Sequence, residues 1–123
     1  MAYDKEILER FEKAKFRGRL EKADFASEGL NPACGDSISF QGCIENGCIT
    51  KLAFDGKGCV ISQVSADLLS GHCIGKTIEQ VEQVNKDTVL SLLCIQLGPT
   101  RMRCALLPLQ ALQNGVAEYK KKN

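Results

Sequence analysis

Apolar and polar positions alternate over residues 36–45, where Ile38, Phe40 and Ile44 stand against Ser37, Ser39 and Gln41. A period of two predicts a half-buried strand. Asn46-Gly47 follows, a strong signal for a two-residue hairpin turn. The β-branched and apolar run over 48–54 predicts the second strand. Elsewhere the period is helical. Ile7, Leu8, Phe11 and Ala14 mark an amphipathic helix over 3–15, with Asp4, Lys5, Glu9 and Lys13 on its other side. Such a helix either caps the core or serves as a partner-binding arm. Residues 16–29 mix charges with glycines and show no period, which predicts a loop with a short edge strand.

Val60, Ile61, Val64, Leu68 and Leu69 predict a helix over 60–70 that stops at Gly71. Residues 72–77 then read as a loop and 79–84 as a short helix introduced by Thr77. The run 87–97 reads as a helix stopped by Gly98-Pro99. Ala105, Leu109, Leu112, Val116 and Tyr119 lie four, three, four and three apart, a helix with one core face. Pro108 suits a first turn, which places the start of this helix just after Cys104. Together the elements predict an α+β fold: a small antiparallel sheet of about three strands, packed by several helices.

A chain of 123 residues fits a single domain over 1–123. It should bury about two thirds of its unfolded surface, enough for an ordinary core. A net charge of +1 gives no field to recruit nucleic acid or anionic lipid, and with no tryptophan there is little to stack bases on. No apolar run reaches membrane length and the N-terminus is charged from Asp4 onward, so no membrane span or secretory leader is expected. Seven cysteines are many and odd in number. With a cytoplasmic, reducing setting expected, they read as ligands or buried small residues in preference to disulfides.

The chemistry gathers around Asn31-Pro32-Ala33-Cys34-Gly35-Asp36. A thiol and a carboxylate stand two positions apart on a backbone stiffened by proline and freed by glycine. Cys59 ends Asp55-Gly56-Lys57-Gly58-Cys59, and Cys104 follows Gly98-Pro99-Thr100-Arg101-Met102-Arg103. Asp36 opens one strand of the predicted hairpin and Cys59 follows the end of the other, so antiparallel pairing brings them together. Cys59 and Cys104 are both expected at helix N-termini, where free amides and the helix dipole favour thiolate. Cys34, Asp36, Cys59 and Cys104 make a complete four-ligand set for zinc or for iron in a cluster, and spacing alone weighs the two equally. No Cys-x-x-Cys pair is present; ligands 25 and 45 residues apart must be assembled by the fold. Cys43, Cys48 and Cys94 read as buried small hydrophobes. Cys73, beside the single histidine His72, reads as a helix end, with an extra thiol acceptor as the alternative.

The order Asn-Pro-x-Cys-Gly-Asp, Gly-x-Gly-Cys and a basic residue before the third cysteine resembles the IscU/NifU/SufU-type iron–sulfur cluster assembly scaffolds, from about Asn31 to Tyr119. The resemblance implies a SufE/NifU-like architecture. It implies a scaffold for assembly and transfer of a [2Fe-2S] cluster that turns over no substrate itself. Cys34, Cys59 and Cys104 would be the thiolate ligands and Asp36 a labile fourth. The implied partners are a cysteine desulfurase as sulfur donor, apo-protein acceptors and, where two chains share a cluster, a homodimer. A carboxylate in place of a fourth thiolate is a harder, weaker ligand, suited to a cluster that must be given up.

Two features depart from the IscU-type pattern. Arg103 stands where those proteins carry histidine; it cannot ligate and is expected to pair with Asp36 when metal is absent. SufU-type members also have a basic residue there and hold zinc while accepting sulfur, but carry a longer segment before the third cysteine. The run Leu97-Gly98-Pro99-Thr100-Arg101 keeps little of the IscU-type chaperone motif, which puts that partner in doubt. The rivals to a cluster scaffold are a zinc-dependent sulfurtransferase of SufU type and a structural zinc module.

Overall fold

The computed structural model describes residues 5–33 and 35–122. Helix α1 (Lys5–Glu12) leads into strands β1 (Phe25–Asn31), β2 (Asp36–Glu45) and β3 (Cys48–Lys57). Helices α2 (Val60–Cys73), α3 (Ile78–Glu82), α4 (Lys86–Leu93) and α5 (Pro99–Lys122) follow. The sheet is antiparallel in the order β1-β2-β3. The expected α+β architecture is therefore present.

The hairpin forms as its sequence dictates. Glu45 pairs with Cys48 across Asn46 and Gly47, whose φ angles of 52° and 75° give the twist that a two-residue turn needs. Ile38, Phe40 and Ile44 point into the core, and Phe40 faces Phe54 across the pair with ring centroids 6.4 Å apart. One layer of helices covers this face. α5 lies along β1 and against α2; α2 also covers β3, while α1 and α4 pack on α2. Ile61, Val64, Leu69, Leu112 and Val116 complete the core.

Four expectations are corrected. The short edge strand expected within the loop over 16–29 is longer than expected: residues 25–31 form the full strand β1 at the edge of the sheet. After Phe25 its inward positions Ser27 and Gly29 are small: a Cβ at Gly29 would press on Ala111 and Leu107, and one at Gly115 would press on Ser27 and Phe25. Close approach of α5 replaces bulky side chains here, so the apolar alternation that marks a strand is missing. Gly71 does not end α2. It is interior to the helix, with Phe16 packed over it, and the helix runs on to Cys73. The left-handed position after this helix is Gly75, at φ 91°. α4 stops at Leu93, because Cys94 takes the left-handed capping conformation and donates its N–H to Leu90 O. Finally, Pro99 opens α5 in place of ending the helix before it, so α5 starts five residues before Cys104.

The short helix after Thr77 is as expected, closed by a capping box in which the Thr77 and Gln80 side chains exchange hydrogen bonds with each other's backbone. In α1, Ile7 is buried and Leu8 is largely exposed, while Tyr3 and Asp4 lie outside the described residues. The segment after α1 is tied down: Phe16 N–H donates to Asp67 Oδ1 at 2.9 Å, and the Arg17 guanidinium lies 4.9 Å from the Phe11 ring centroid. This matches the cap-like role expected of the arm.

Candidate metal centre

Asp36 is the first residue of β2, and its neighbour Ser37 pairs with Lys57 near the end of β3. The chain then crosses Gly58 and enters α2 with Cys59 as N-cap. The hairpin thus delivers Asp36 beside the N-terminus of α2, as antiparallel pairing predicts. Cys104 approaches from α5. The ligand atoms of Asp36, Cys59 and Cys104 all lie within 4.8 Å of one another. Cys34 lies outside the described residues.

The Asp36 carboxylate is buried and accepts hydrogen bonds from both candidate cysteines. Oδ1 accepts the Cys59 N–H at 2.9 Å. Oδ2 accepts the Cys104 thiol at 3.0 Å and lies 3.4 Å from Ser62 Oγ. The N-terminal end of α2 supplies further favourable potential for this anion. Gly58 makes the approach feasible: at φ 98° it adopts a backbone closed to most side chains, and a Cβ there would overlap Asp36 Oδ1 and sit 3.1 Å from Asp36 Cα.

The three donors differ in state. Cys59 is half-buried at a helix start, as expected. Cys104 is not at a helix start. It lies in the second turn of α5, only 3 % exposed. Burial first, then the hydrogen bond to Asp36 and the proximity of Cys59, hold its thiol protonated well above the ordinary thiol range. The expectation of a thiolate-favouring helix start at Cys104 is therefore wrong for the metal-free protein. A metal ion must displace its proton.

Arg103 does not pair with Asp36. It is exposed and makes no ion pair among the described residues, because one step along α5 from the inward Cys104 turns its side chain to solvent. Cys73 is fully buried, and burial pushes its thiol up to about 11, which leaves it inert as an acceptor. His72 is held below its ordinary pKa by partial burial and by the charge of Lys76. Cys94 is exposed at the end of α4, and Cys43 and Cys48 are half-buried, so none of the three is the core residue expected. Sequence reasoning missed Ser62, whose hydroxyl reaches both Asp36 and the Cys104 backbone. The available signal was a proline four residues after a ligand-type cysteine.

The donor set fits a metal. Ligands about 2.0–2.3 Å from a tetrahedral ion stand roughly 3.3–3.8 Å from one another, and these three lie within the range that a small adjustment would close. Two thiols and a carboxylate suit zinc or iron. No helix among the described residues is long and apolar enough to cross a membrane.

The chain matches the family described as the NifU-like N terminal domain over residues 2–123. It is 41% identical over 81 residues to the iron–sulfur cluster assembly scaffold protein IscU of Thermotoga maritima, a match that covers 66% of this chain and spans 57% of that relative. It is 30% identical to the scaffold protein IscU of Buchnera aphidicola from Acyrthosiphon pisum, over 99% of this chain and 98% of the relative. Among solved structures it is similar to a protein of Fervidobacterium islandicum assigned as an iron–sulfur cluster assembly scaffold for the SUF system. That likeness has a TM-score of 0.76 and 26% identity, over 93% of this chain and 96% of the other. The N-terminal part of a NifU-like protein from Brucella abortus shares the fold with a TM-score of 0.79 at 21% identity, over 98% and 96% of the two chains. With these similarities standing beside a hairpin, two helices and three convergent donors of the expected kind, the chain belongs to the NifU-like N-terminal domain family.

Proposed function

We propose that the protein is a scaffold on which an iron–sulfur cluster of the [2Fe-2S] type is assembled and from which it is passed to apo-proteins. The observation that carries this reading is the convergence of Asp36, Cys59 and Cys104 within 4.8 Å. Cys34, two residues before Asp36 in the chain, completes the ligand set. The relatives named as cluster assembly scaffolds support the same reading. In this reading a cysteine desulfurase in the cytoplasm supplies the sulfur. Cys59, half-buried at the start of α2, is the thiol best placed to meet it. The protonated Cys104 donates a hydrogen bond to the Asp36 carboxylate, a contact that a metal ion would replace. A carboxylate ligand then binds sulfide-bridged iron less firmly than a fourth thiolate would, so the cluster can leave.

The test is maturation of an apo-ferredoxin by desulfurase, cysteine and ferrous iron without oxygen. Substoichiometric amounts of the chain should accelerate maturation, and Cys59→Ser should not. No acceleration by the unaltered chain would count against the scaffold reading.

A second reading, a zinc-dependent sulfurtransferase of SufU type that activates the desulfurase, draws on the same donors, because two thiols and a carboxylate suit zinc as well as iron. A colourless chain that keeps zinc through desalting and raises desulfurase turnover several-fold would support it over the first.

A further inference from the structure

Pro108 is the tenth residue of α5 and has no N–H. In an unbroken helix the N–H of residue 108 would bond the carbonyl four residues earlier, which belongs to Cys104. Ser62 supplies the missing donor. Its hydroxyl, fully buried in α2, donates to Cys104 O at 2.8 Å. One turn further along the same face of α2, Ser65 donates to Ala105 O at 2.6 Å. The two helices are therefore stitched together at the turn that carries Cys104. Ser62 Oγ also lies 3.4 Å from Asp36 Oδ2. A hydroxyl has one proton, and the shorter distance places it on the Cys104 carbonyl.

We propose that Ser62 is a positioning residue for metal capture: it stands in for the N–H that Pro108 lacks and so holds Cys104 Sγ at the spacing from Asp36 and Cys59 that one ion requires. This rests on the reading of those three residues as ligands. Without the hydroxyl, a buried carbonyl has no donor, and the turn bearing Cys104 must shift to find one. Residues that orient metal ligands typically change affinity by about 10–100-fold when removed.

The experiment is an anaerobic titration of the full chain with cobalt(II), in competition with a chromophoric chelator. It reads affinity and the intensity of thiolate-to-cobalt charge-transfer absorption. Ser62→Ala should lower affinity by about tenfold or more. Ser62→Ala combined with Pro108→Ala, which restores a backbone N–H to Cys104 O, should return affinity to near that of the unaltered chain, and Pro108→Ala alone should keep it. Unchanged affinity in Ser62→Ala would overturn the proposal, as would a double variant that stays as weak as Ser62→Ala. Should Ser62→Ala not fold, as judged by circular dichroism, the double variant decides alone: affinity near that of the unaltered chain supports the proposal and a tenfold loss overturns it. Cys104→Ser is the control for the underlying reading. If it leaves the charge-transfer band unchanged, the ligand assignment itself fails. If it diminishes the band while Ser62→Ala does nothing, only the role of Ser62 fails.

Discussion

Gly58 separates two demands that a glycine can meet. Its φ of 98° is nearly that of Gly75, at 91°, yet a Cβ at Gly75 would meet no atom within 4 Å, while one at Gly58 would overlap Asp36 Oδ1 and press on Asp36 Cα. Alanine at Gly75 should therefore cost only the left-handed backbone, about 1–2 kcal/mol. Alanine at Gly58 bears the same cost plus overpacking against a strand backbone that cannot swing aside, a further 1–3 kcal/mol or so. It should also push the carboxylate off the Cys59 N–H, a bond of 2.9 Å that fixes Asp36 against α2. Urea unfolding of the metal-free variants gives the first difference from the transition midpoints at common slope. Cobalt(II) titration gives the second, expected as a loss of about tenfold in affinity for Gly58→Ala and none for Gly75→Ala. Equal stability losses within about 0.5 kcal/mol, together with unchanged cobalt affinity in both variants, would refute the claim that Gly58 is required by Asp36.

Three further outcomes follow from the same geometry. The Cys73 thiol is raised from 9.0 to about 11, so the folded state holds that proton more tightly than the unfolded chain. Its contribution is fully present below the unfolded pKa and is lost as pH climbs toward the folded one; stability should fall by about 2 kcal/mol more in the unaltered chain than in Cys73→Ala between about pH 8 and about pH 11, measured by chemical denaturation. The Cys104 thiol, also held protonated, must release its proton to a metal, so cobalt(II) affinity should rise by roughly tenfold per pH unit from this group between about pH 6 and about pH 8, and this slope should be lost in Cys104→Ser. Arg103→Ala should leave metal-free stability within about 0.5 kcal/mol, because that side chain faces solvent; a larger loss in thermal or urea unfolding would mean that it does reach Asp36.

The hairpin and the pairing of Asp36 with Cys59 were legible because the period of two, the Asn46-Gly47 turn and the antiparallel register each constrain the same geometry. The full extent of strand β1 was not. Its inward positions Ser27 and Gly29 are chosen for the close approach of α5, and small residues carry no periodic signal. The start of α5 was misplaced for a related reason. Pro108 was read by its local rule, which forbids it deep in a helix, whereas a serine from α2 supplies the lost hydrogen bond across 42 residues of sequence separation. That compensation is tertiary: Pro108 marks the missing donor at Cys104 O, but nothing local says that a serine from α2 replaces it. The same misplacement put Cys104 at a helix start, where its thiolate would be favoured. The convergence of Asp36, Cys59 and Cys104 was thus readable from motif and topology, but their protonation and support depend on burial, which spacing does not reveal. His72-Cys73 shows the converse: a conspicuous pair in sequence whose thiol simply fills the core.

In the proposed function, Cys34, Asp36, Cys59 and Cys104 build and hold a cluster. The most direct measurement is a visible absorption spectrum of the chain after anaerobic incubation with ferrous iron, cysteine and a cysteine desulfurase, followed by desalting. Sulfide-to-iron charge-transfer bands should survive desalting and vanish in Cys59→Ser and Cys104→Ser, with Arg103 in place. A colourless protein, or bands that persist unchanged in both variants, would contradict that function.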